Sequence, residues 1–470
     1  MCCHLPSPRF YIGHAAPILS PPVITSSIAI LAATGPLAPP HATPAQRLQS
    51  FVGLIAFTIL AWIIGKARGA KKIPWRVVLW GTILDFVFGG IVLFAPRVLE
   101  TIQFAIQKLL DFTVAGEQML FGNLIHDSVP VVGSGGNTLG VAQVGFIFAI
   151  VVLPTIIFIA MLTAMLYHVG VMTAIVHGLA WVMRKSMGTS GAETLSTAAN
   201  IFVGQTEAPL LVKPFLATAT NSELMAIMVG GFANIASGVL VAYTQFLKDY
   251  IRDVGGHLAA ACFISAPATL VVAKLMIPET SKPLTTGGVE FKVEKLDANI
   301  IDAATRGTTE GTALAINVGA MLITFTALVA MINAIFGGVC GWFGHPNVTM
   351  ETTLGYVMAP LAWLAGCSWH DAIPVGSLLG VKTVLNEFLA YLQMSQRFAN
   401  DPNFISPRSA LIATYALCGF ANFASVGIQI GGISTMAPDR RHDLSRMGLL
   451  AMIGGAIASF MGACVVGVLM

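Results

Sequence analysis

The chain reads as an all-α membrane protein built from inverted repeats, with about eight transmembrane helices and two opposed re-entrant hairpins. Three observations predict this. Of 470 residues, 56% are hydrophobic and 10% are charged, where a soluble domain carries roughly 25% charged residues. Apolar runs long enough to span a bilayer, about 20 residues each, recur along the chain. A seven-letter word is written twice: Gly231-Phe232-Ala233-Asn234-Ile235-Ala236-Ser237 and Gly419-Phe420-Ala421-Asn422-Phe423-Ala424-Ser425 differ at one letter.

Residues 1–46 are rich in proline and small residues, and the apolar patch from Ile18 to Leu37 is broken by Pro21, Pro22 and Pro36. A signal peptide requires an unbroken apolar core, so this segment reads as a disordered extension. Spans follow near 49–65, 77–95, 143–168, 223–245, 257–276, 313–337, 408–430 and 447–469. Short basic loops mark the cytoplasmic side. The clearest holds Lys66, Arg68, Lys71, Lys72 and Arg76, which places the N-terminus outside.

Arg184, Lys185 and Lys213 should share that side, as should Lys282, Lys292 and Lys295, and then Arg440, Arg441 and Arg446. They do so only if the stretches 190–215 and 372–394 enter the membrane and return. Each is apolar, interrupted by Gly, Pro or polar residues, and carries a carboxylate. Irregular backbone at membrane depth persists only where it is packed in protein or lines a wet cavity.

The hairpins share a frame. Leu179-Ala180-Trp181 precedes the first and Leu361-Ala362-Trp363 the second; Thr206-Glu207 and Asn386-Glu387 lie inside; the seven-letter word follows each. The domain order is therefore 47–142, N-terminal crossings with an interfacial segment; 143–280, a first repeat; 281–312, a cytoplasmic connector; and 313–470, a second repeat. Hairpins entering from opposite sides make the repeats inverted, and secondary transporters built this way hold substrate and ions near the midplane.

A carboxylate at membrane depth costs at least ~2.5 kcal/mol and marks a functional site by default, which singles out Glu207 and Glu387. The plainer role is capping a broken helix. Gly204 and Pro209 suit the turn at a hairpin tip. Asn234 with Ser237, and Asn422 with Ser425, are polar pairs in mid-span; bonds between neighbouring membrane helices are worth about 0.6 kcal/mol, so their pairing with hairpins carries the functional reading.

Other classes fall away. A net charge of +3 without a basic cluster excludes a nucleic-acid partner. Seven cysteines and ten histidines form no metal-type spacing, and no organic cofactor motif is present. Gly188-Thr189-Ser190-Gly191 matches a GxSG serine-protease pattern, but a nucleophilic Ser needs a base, and His168 and His177 have no evident geometry for it. The chain is not read as an enzyme.

The runs NIFVGQTEAPLLVKPFL and GGFANIASGVL, then KTVLNEFLAY, YALCGFANFAS and MAPDRRHDL, resemble the concentrative nucleoside transporter family of bacterial type, from about residue 50 to the C-terminus. The resemblance implies a homotrimer of eight-crossing protomers, with spans 143–168 and 313–337 in the trimer scaffold. It implies a nucleoside base held by Gln205, Thr206, Glu207 and Val239 with Phe420 against it, and ribose held by Glu387, Asn422 and Ser425. For a coupling sodium it implies Asn200, the carbonyl of Val203, Asn234 and the carbonyl of Ile235, all oxygen donors as a hard cation prefers.

One departure stands out, since a small hydroxyl residue is expected where this chain has Asn234. The function so implied is a sodium-coupled nucleoside importer of the inner membrane. Proton coupling through Glu207 is the alternative, and a nucleoside-binding sensor without transport the remote one.

Overall fold

The computed structural model describes residues 42–126, 128–132, 138–286, 297–342, 344–345 and 348–470. The extension expected over 1–46 lies outside these up to His41. Its last residues do not: Thr43 caps helix α1, Pro44–Ala67, in a reciprocal capping box with Gln46. After α1 come α2, Trp75–Phe94, and α3, Pro96–Phe121. A short antiparallel hairpin, β1 Ser128–Val132 and β2 Thr138–Gln143, leads to α4, Phe148–Val151, and α5, Leu153–Val169.

Helix α6, Val171–Met187, enters the first hairpin, which comprises α7, Gly191–Ala199, an irregular tip, a 3-10 turn at Ala208–Val212 and α8, Lys213–Leu216. The next crossing is α9, Asn221–Ala233, and α10, Ser237–Leu247, followed by α11, Val254–Met276. Helix α12 runs 42 residues from Ile300 to Gly341, about 63 Å at 1.5 Å per residue and twice a ~30 Å hydrocarbon core. The segment 300–312, expected as connector, is therefore helix. Asn299 starts it by accepting from the backbone N–H groups of Ile301 and Asp302, and Arg306 and Glu310 do not break a helix. Arg306 also grips Asp297 at 2.7 and 2.9 Å and holds that carboxyl below the usual carboxylate range.

The second half repeats the plan with α13, Met350–Ala365, and a hairpin of α14, Trp369–Val384, and α15, Glu387–Asn400. Its crossing is α16, Pro407–Leu417, and α17, Phe423–Met436; α18, Arg441–Leu469, closes the chain. Seven helical segments among the described residues are long and apolar enough to cross a membrane. The seventh expected crossing is not one helix but two half-helices, since residues 418–422 leave helical geometry. The fourth is likewise broken at 234–236. The first break falls inside the repeated word, and the second begins one residue before it.

Among the described residues the basic loops around Arg76, Lys185 and Arg440 gather on one face; Lys292 and Lys295 lie outside the described residues. Arg76 donates to the carbonyls of Ser186 and Lys185 at 3.0 and 2.9 Å. A side chain added at Gly65 would strike the carbonyl of Leu275, so the α1 end meets the α11 end. Arg440 reaches the carbonyls of Ala217 and Ala219 and the Asn221 side chain. At the opposite end Arg408, buried, binds the carbonyls of Gln46 and Gly467 and the Ser50 hydroxyl.

Candidate functional site

Why the crossings break is visible in the second word. The last carbonyls of a helix lack N–H partners within it, and those of α16 are met from elsewhere: Tyr391 donates to Thr414 at 2.6 Å and Lys382 to Ala416 at 2.9 Å, while the N–H of Cys418 reaches Tyr415. Gly419 then turns the chain at φ +122, a conformation costly for residues with a Cβ. Asn422 starts α17 by accepting from the N–H of Ser425 at 2.8 Å.

The other end of the Asn422 amide donates to Glu387 at 3.0 Å, and the Tyr243 hydroxyl donates to the second Glu387 oxygen at 2.9 Å. Glu387 is 4% exposed and opens α15 behind its own cap, Asn386. The structure thus joins Glu387, Asn422 and Ser425 in one chain of bonds. Tyr243 was not anticipated from the sequence, although it lies one helical turn beyond Val239 on α10.

The first hairpin tip presses on the same helix from the other side. Gln205 and Gln429 both crowd Gly231, where a Cβ would clash with each, and Thr206 abuts Gly432. Gln429 is fully buried and donates to the Met228 carbonyl at 3.0 Å, tying α17 to α9. The carbonyl oxygens of Gln205 and Gln429 have no hydrogen-bond partner among the described residues. Gln429 was also missed; it stands seven residues after Asn422, two turns along one face of α17.

Glu207 stands apart. It is exposed in the protomer, and its carboxylate accepts from the N–H of Gly204 at 3.2 Å, so it braces its own tip. Val239 is buried in the first turn of α10 and Phe420 half-buried at the second break. No direct bond joins Gln205, Thr206 or Glu207 to Glu387 among the described residues. Helix α17 is the element common to both groups.

Around the first break, Asn200 and Thr197 face Gly230, and the Asn234 amide donates to the Gly230 carbonyl at 3.3 Å. Asn200 and Asn234 therefore share one neighbour. Asn234 Oδ1 accepts from the Ser265 hydroxyl of α11 at 2.5 Å. Asn200 Oδ1 is buried without a partner, and the N–H of Ser237 is held by the carbonyl of Phe202 beside Val203. Ile235 is fully buried. A buried amide oxygen with no donor, on a residue that shares Gly230 with a second amide, is the kind of oxygen a hard cation prefers; among the described residues no His, Cys, Asp and Glu cluster could hold a transition metal.

The two words meet. A Cβ on Gly419 would lie 2.7 Å from the carbonyl oxygen of Phe232 and 2.8 Å from that of Ala233. Ser190, by contrast, is no nucleophile: it caps α7 and gives its hydroxyl to Glu223 at 2.6 Å.

Comparison with known proteins agrees with this architecture. Residues 52–124 match the family described as Na+ dependent nucleoside transporter N-terminus, 149–250 that described as Nucleoside recognition, and 257–467 that described as Na+ dependent nucleoside transporter C-terminus. The uncharacterized transporter YutK of Bacillus subtilis is 40% identical over 425 residues, covering 89% of this chain and 98% of its own. Solute carrier family 28 member 3 of Eptatretus stoutii is 38% identical over 440 residues, 90% of this chain, which spans only 61% of that longer relative.

Sodium/nucleoside cotransporter 1 of Mus musculus is 37% identical, with 64% of it covered. The structure of CNTnw in an inward-facing substrate-bound state superposes with a TM-score of 0.78 at 38% identity, covering 90% of this chain and 97% of that one. A CNTnw variant in an outward-facing state gives 0.80 at 37% identity over 91% and 98%. Broken crossings, paired hairpins and near-complete coverage of a bacterial relative converge: the chain is no enzyme but a member of the concentrative nucleoside transporter family.

Proposed function

We propose that the protein imports nucleosides across the cytoplasmic membrane as a sodium-coupled symporter working by alternating access. The observation that carries this reading is Glu387, a buried carboxylate held by Tyr243 and Asn422 at a helix break. Carboxylate, amide and hydroxyl offer the paired acceptors and donors that ribose hydroxyls need. Gln205, Thr206 and Glu207, with Val239 and Phe420, face the base, and Ser425 completes the ribose side.

Asn200, Asn234 and the carbonyls of Val203 and Ile235 hold sodium. Support comes from the unpartnered Asn200 oxygen and from relatives whose names record sodium/nucleoside cotransport. The repeats 143–280 and 313–470 move their hairpins past a fixed scaffold of α5 and α12. That scaffold assembles a homotrimer, which accounts for the apolar side chains α12 exposes at Ile316, Ile323, Met331 and Ile335. The basic face defined by Arg76, Lys185 and Arg440 lies in the cytoplasm, leaving the N-terminus outside.

Uptake of labelled uridine into proteoliposomes is the test. Uptake driven by an inward sodium gradient is expected; uptake indifferent to sodium but driven by a proton gradient would replace sodium with the proton and turn attention to Glu207. Binding without any uptake would make the protein a sensor.

A further inference from the structure

Among the described residues three cations are buried: Lys274, Lys382 and Arg408. Lys274 is paired with Glu193 at 2.6 Å, and Arg408 binds backbone at the end where α1 starts and α18 finishes. Lys382 alone of these stands at a broken crossing. It is 1% exposed, ends the first arm of the second hairpin five residues before Glu387, and its ammonium donates to the Ala416 carbonyl at 2.9 Å.

The C-terminal end of α16 carries a partial negative charge from its unpaired carbonyls, so Lys382 puts a full positive charge where the half-helix is negative. The other titratable groups at this break are Glu387, Cys418 with Cys262 of α11 4.0 Å from it, Tyr391 on the Thr414 carbonyl and Tyr243 on Glu387. Glu387 is the carboxylate of that set. The two charges face the break from separate anchors, the ammonium on Ala416 and the carboxylate on Asn422 and Tyr243.

In the first repeat the carbonyl that answers to Ala416 in the register of the repeated word is that of Met228, and it accepts from the neutral Gln429 amide at 3.0 Å, with no ammonium there. Counting back five residues from Glu207 gives Phe202, which packs edge-on against Phe263 at 5.7 Å. No donor among the described residues reaches the carbonyls of Phe232 and Ala233, and Asn200, whose amide lies against Gly230 of the same helix, leaves its Oδ1 unpartnered. One break carries its own cation and the other presents spare oxygens.

We propose that Lys382 is a tethered cation, standing at the second break where the coupling sodium stands at the first, and that it keeps Glu387 ionised so that the carboxylate accepts from the sugar. The comparison with sodium rests on the proposed coupling ion; the role toward Glu387 does not. Lys382 is on this view a positioning residue, acting through Glu387 and not on the nucleoside. A buried carboxylate deprived of its counter-charge takes up a proton more readily, and a protonated Glu387 has one acceptor fewer.

The experiment measures uridine binding to purified Lys382→Gln and Lys382→Arg between pH 5.5 and 8.5, each titrated with sodium. Gln can still donate to Ala416 but carries no charge; Arg keeps the charge. The proposal expects the parent and Lys382→Arg to bind almost independently of pH, and Lys382→Gln to lose about tenfold or more in affinity as pH falls, or to require an additional sodium ion, read as a steeper sodium dependence. A folded Lys382→Gln with the parent's pH profile and sodium dependence overturns it, as does an Arg variant that behaves like Gln.

If Lys382→Gln does not fold, thermal unfolding of Lys382→Gln/Glu387→Gln decides. Recovery of the parent's midpoint supports the charge balance, and an equally unstable double variant rejects it. Sodium-independent binding by the parent would sink the coupling ion while leaving the pH comparison to judge Lys382.

Discussion

The two broken crossings share a word and differ in what finishes them. At the second, the polar side chains that line the break bond within the protein: Lys382 and Tyr391 meet the end of α16, Asn422 caps α17, and Glu387 binds Asn422 and Tyr243. At the first, Asn200 Oδ1 and two main-chain carbonyls are without donors among the described residues, and Asn234 is tethered by Ser265 and Gly230. A buried polar group without a partner costs about 1–3 kcal/mol, so a break left open in a folded protein argues for an added ligand. On the proposed reading, the difference matches a pre-paired sugar site in one half and an incomplete cation site in the other.

The largest test breaks the completed half. Glu387→Gln keeps shape but gives up one acceptor and the charge, and turns a donor toward either the Tyr243 hydroxyl or the Asn422 amide. Charge-assisted hydrogen bonds are worth about 1.5–3 kcal/mol, so uridine affinity should fall by roughly 10- to 150-fold in a protein that still folds, its thermal midpoint lowered because buried Lys382 loses the nearby carboxylate. Equal affinity in a folded variant would remove Glu387 from the sugar site.

How much of this division was legible in the sequence depends on range. Repeats, spans and both hairpins follow from local composition and from two words in register. Glu387, Asn422 and Ser425 were picked out because polar residues are conspicuous in apolar text. Tyr243, Ser265 and Gln429 were not, because each acts across helices: Tyr243 lies 144 residues from Glu387 and Gln429 201 residues from Met228. A tyrosine or serine on an apolar helix gives no local sign of which distant carboxylate or amide it will meet. The helix over 300–312 was missed for the opposite reason, since charge ends an apolar span without ending a helix.

A second test attacks the place where the halves touch. Gly419→Ala must adopt φ near +122 and bring a methyl group within 2.8 Å of both the Phe232 and Ala233 carbonyl oxygens. Strain of this kind costs about 1–3 kcal/mol, and the clash adds to it. Expected are a lower thermal midpoint and weaker binding of uridine and sodium together, because one methyl pushes on both breaks. A variant losing only one of the two would show that the breaks are mechanically independent.

The smallest effect probes the open half alone. The Ser265 hydroxyl is 2.5 Å from Asn234 Oδ1 and 3.0 Å from the Cys262 carbonyl, and it has one proton to give. With the amide oxygen engaged by a cation, that proton can turn to Cys262 and leave the lone pair free. Ser265→Ala removes one of the two tethers on the Asn234 side chain, the other being its bond to Gly230. Hydrogen bonds between membrane helices average about 0.6 kcal/mol, so the sodium midpoint should rise about threefold while uridine affinity at saturating sodium holds. A lowered midpoint would mean that the hydroxyl competes with the ion for Asn234 and does not orient it. An unchanged midpoint would take Asn234 out of the ion's surroundings altogether, leaving Asn200 and the main-chain carbonyls to hold sodium without it.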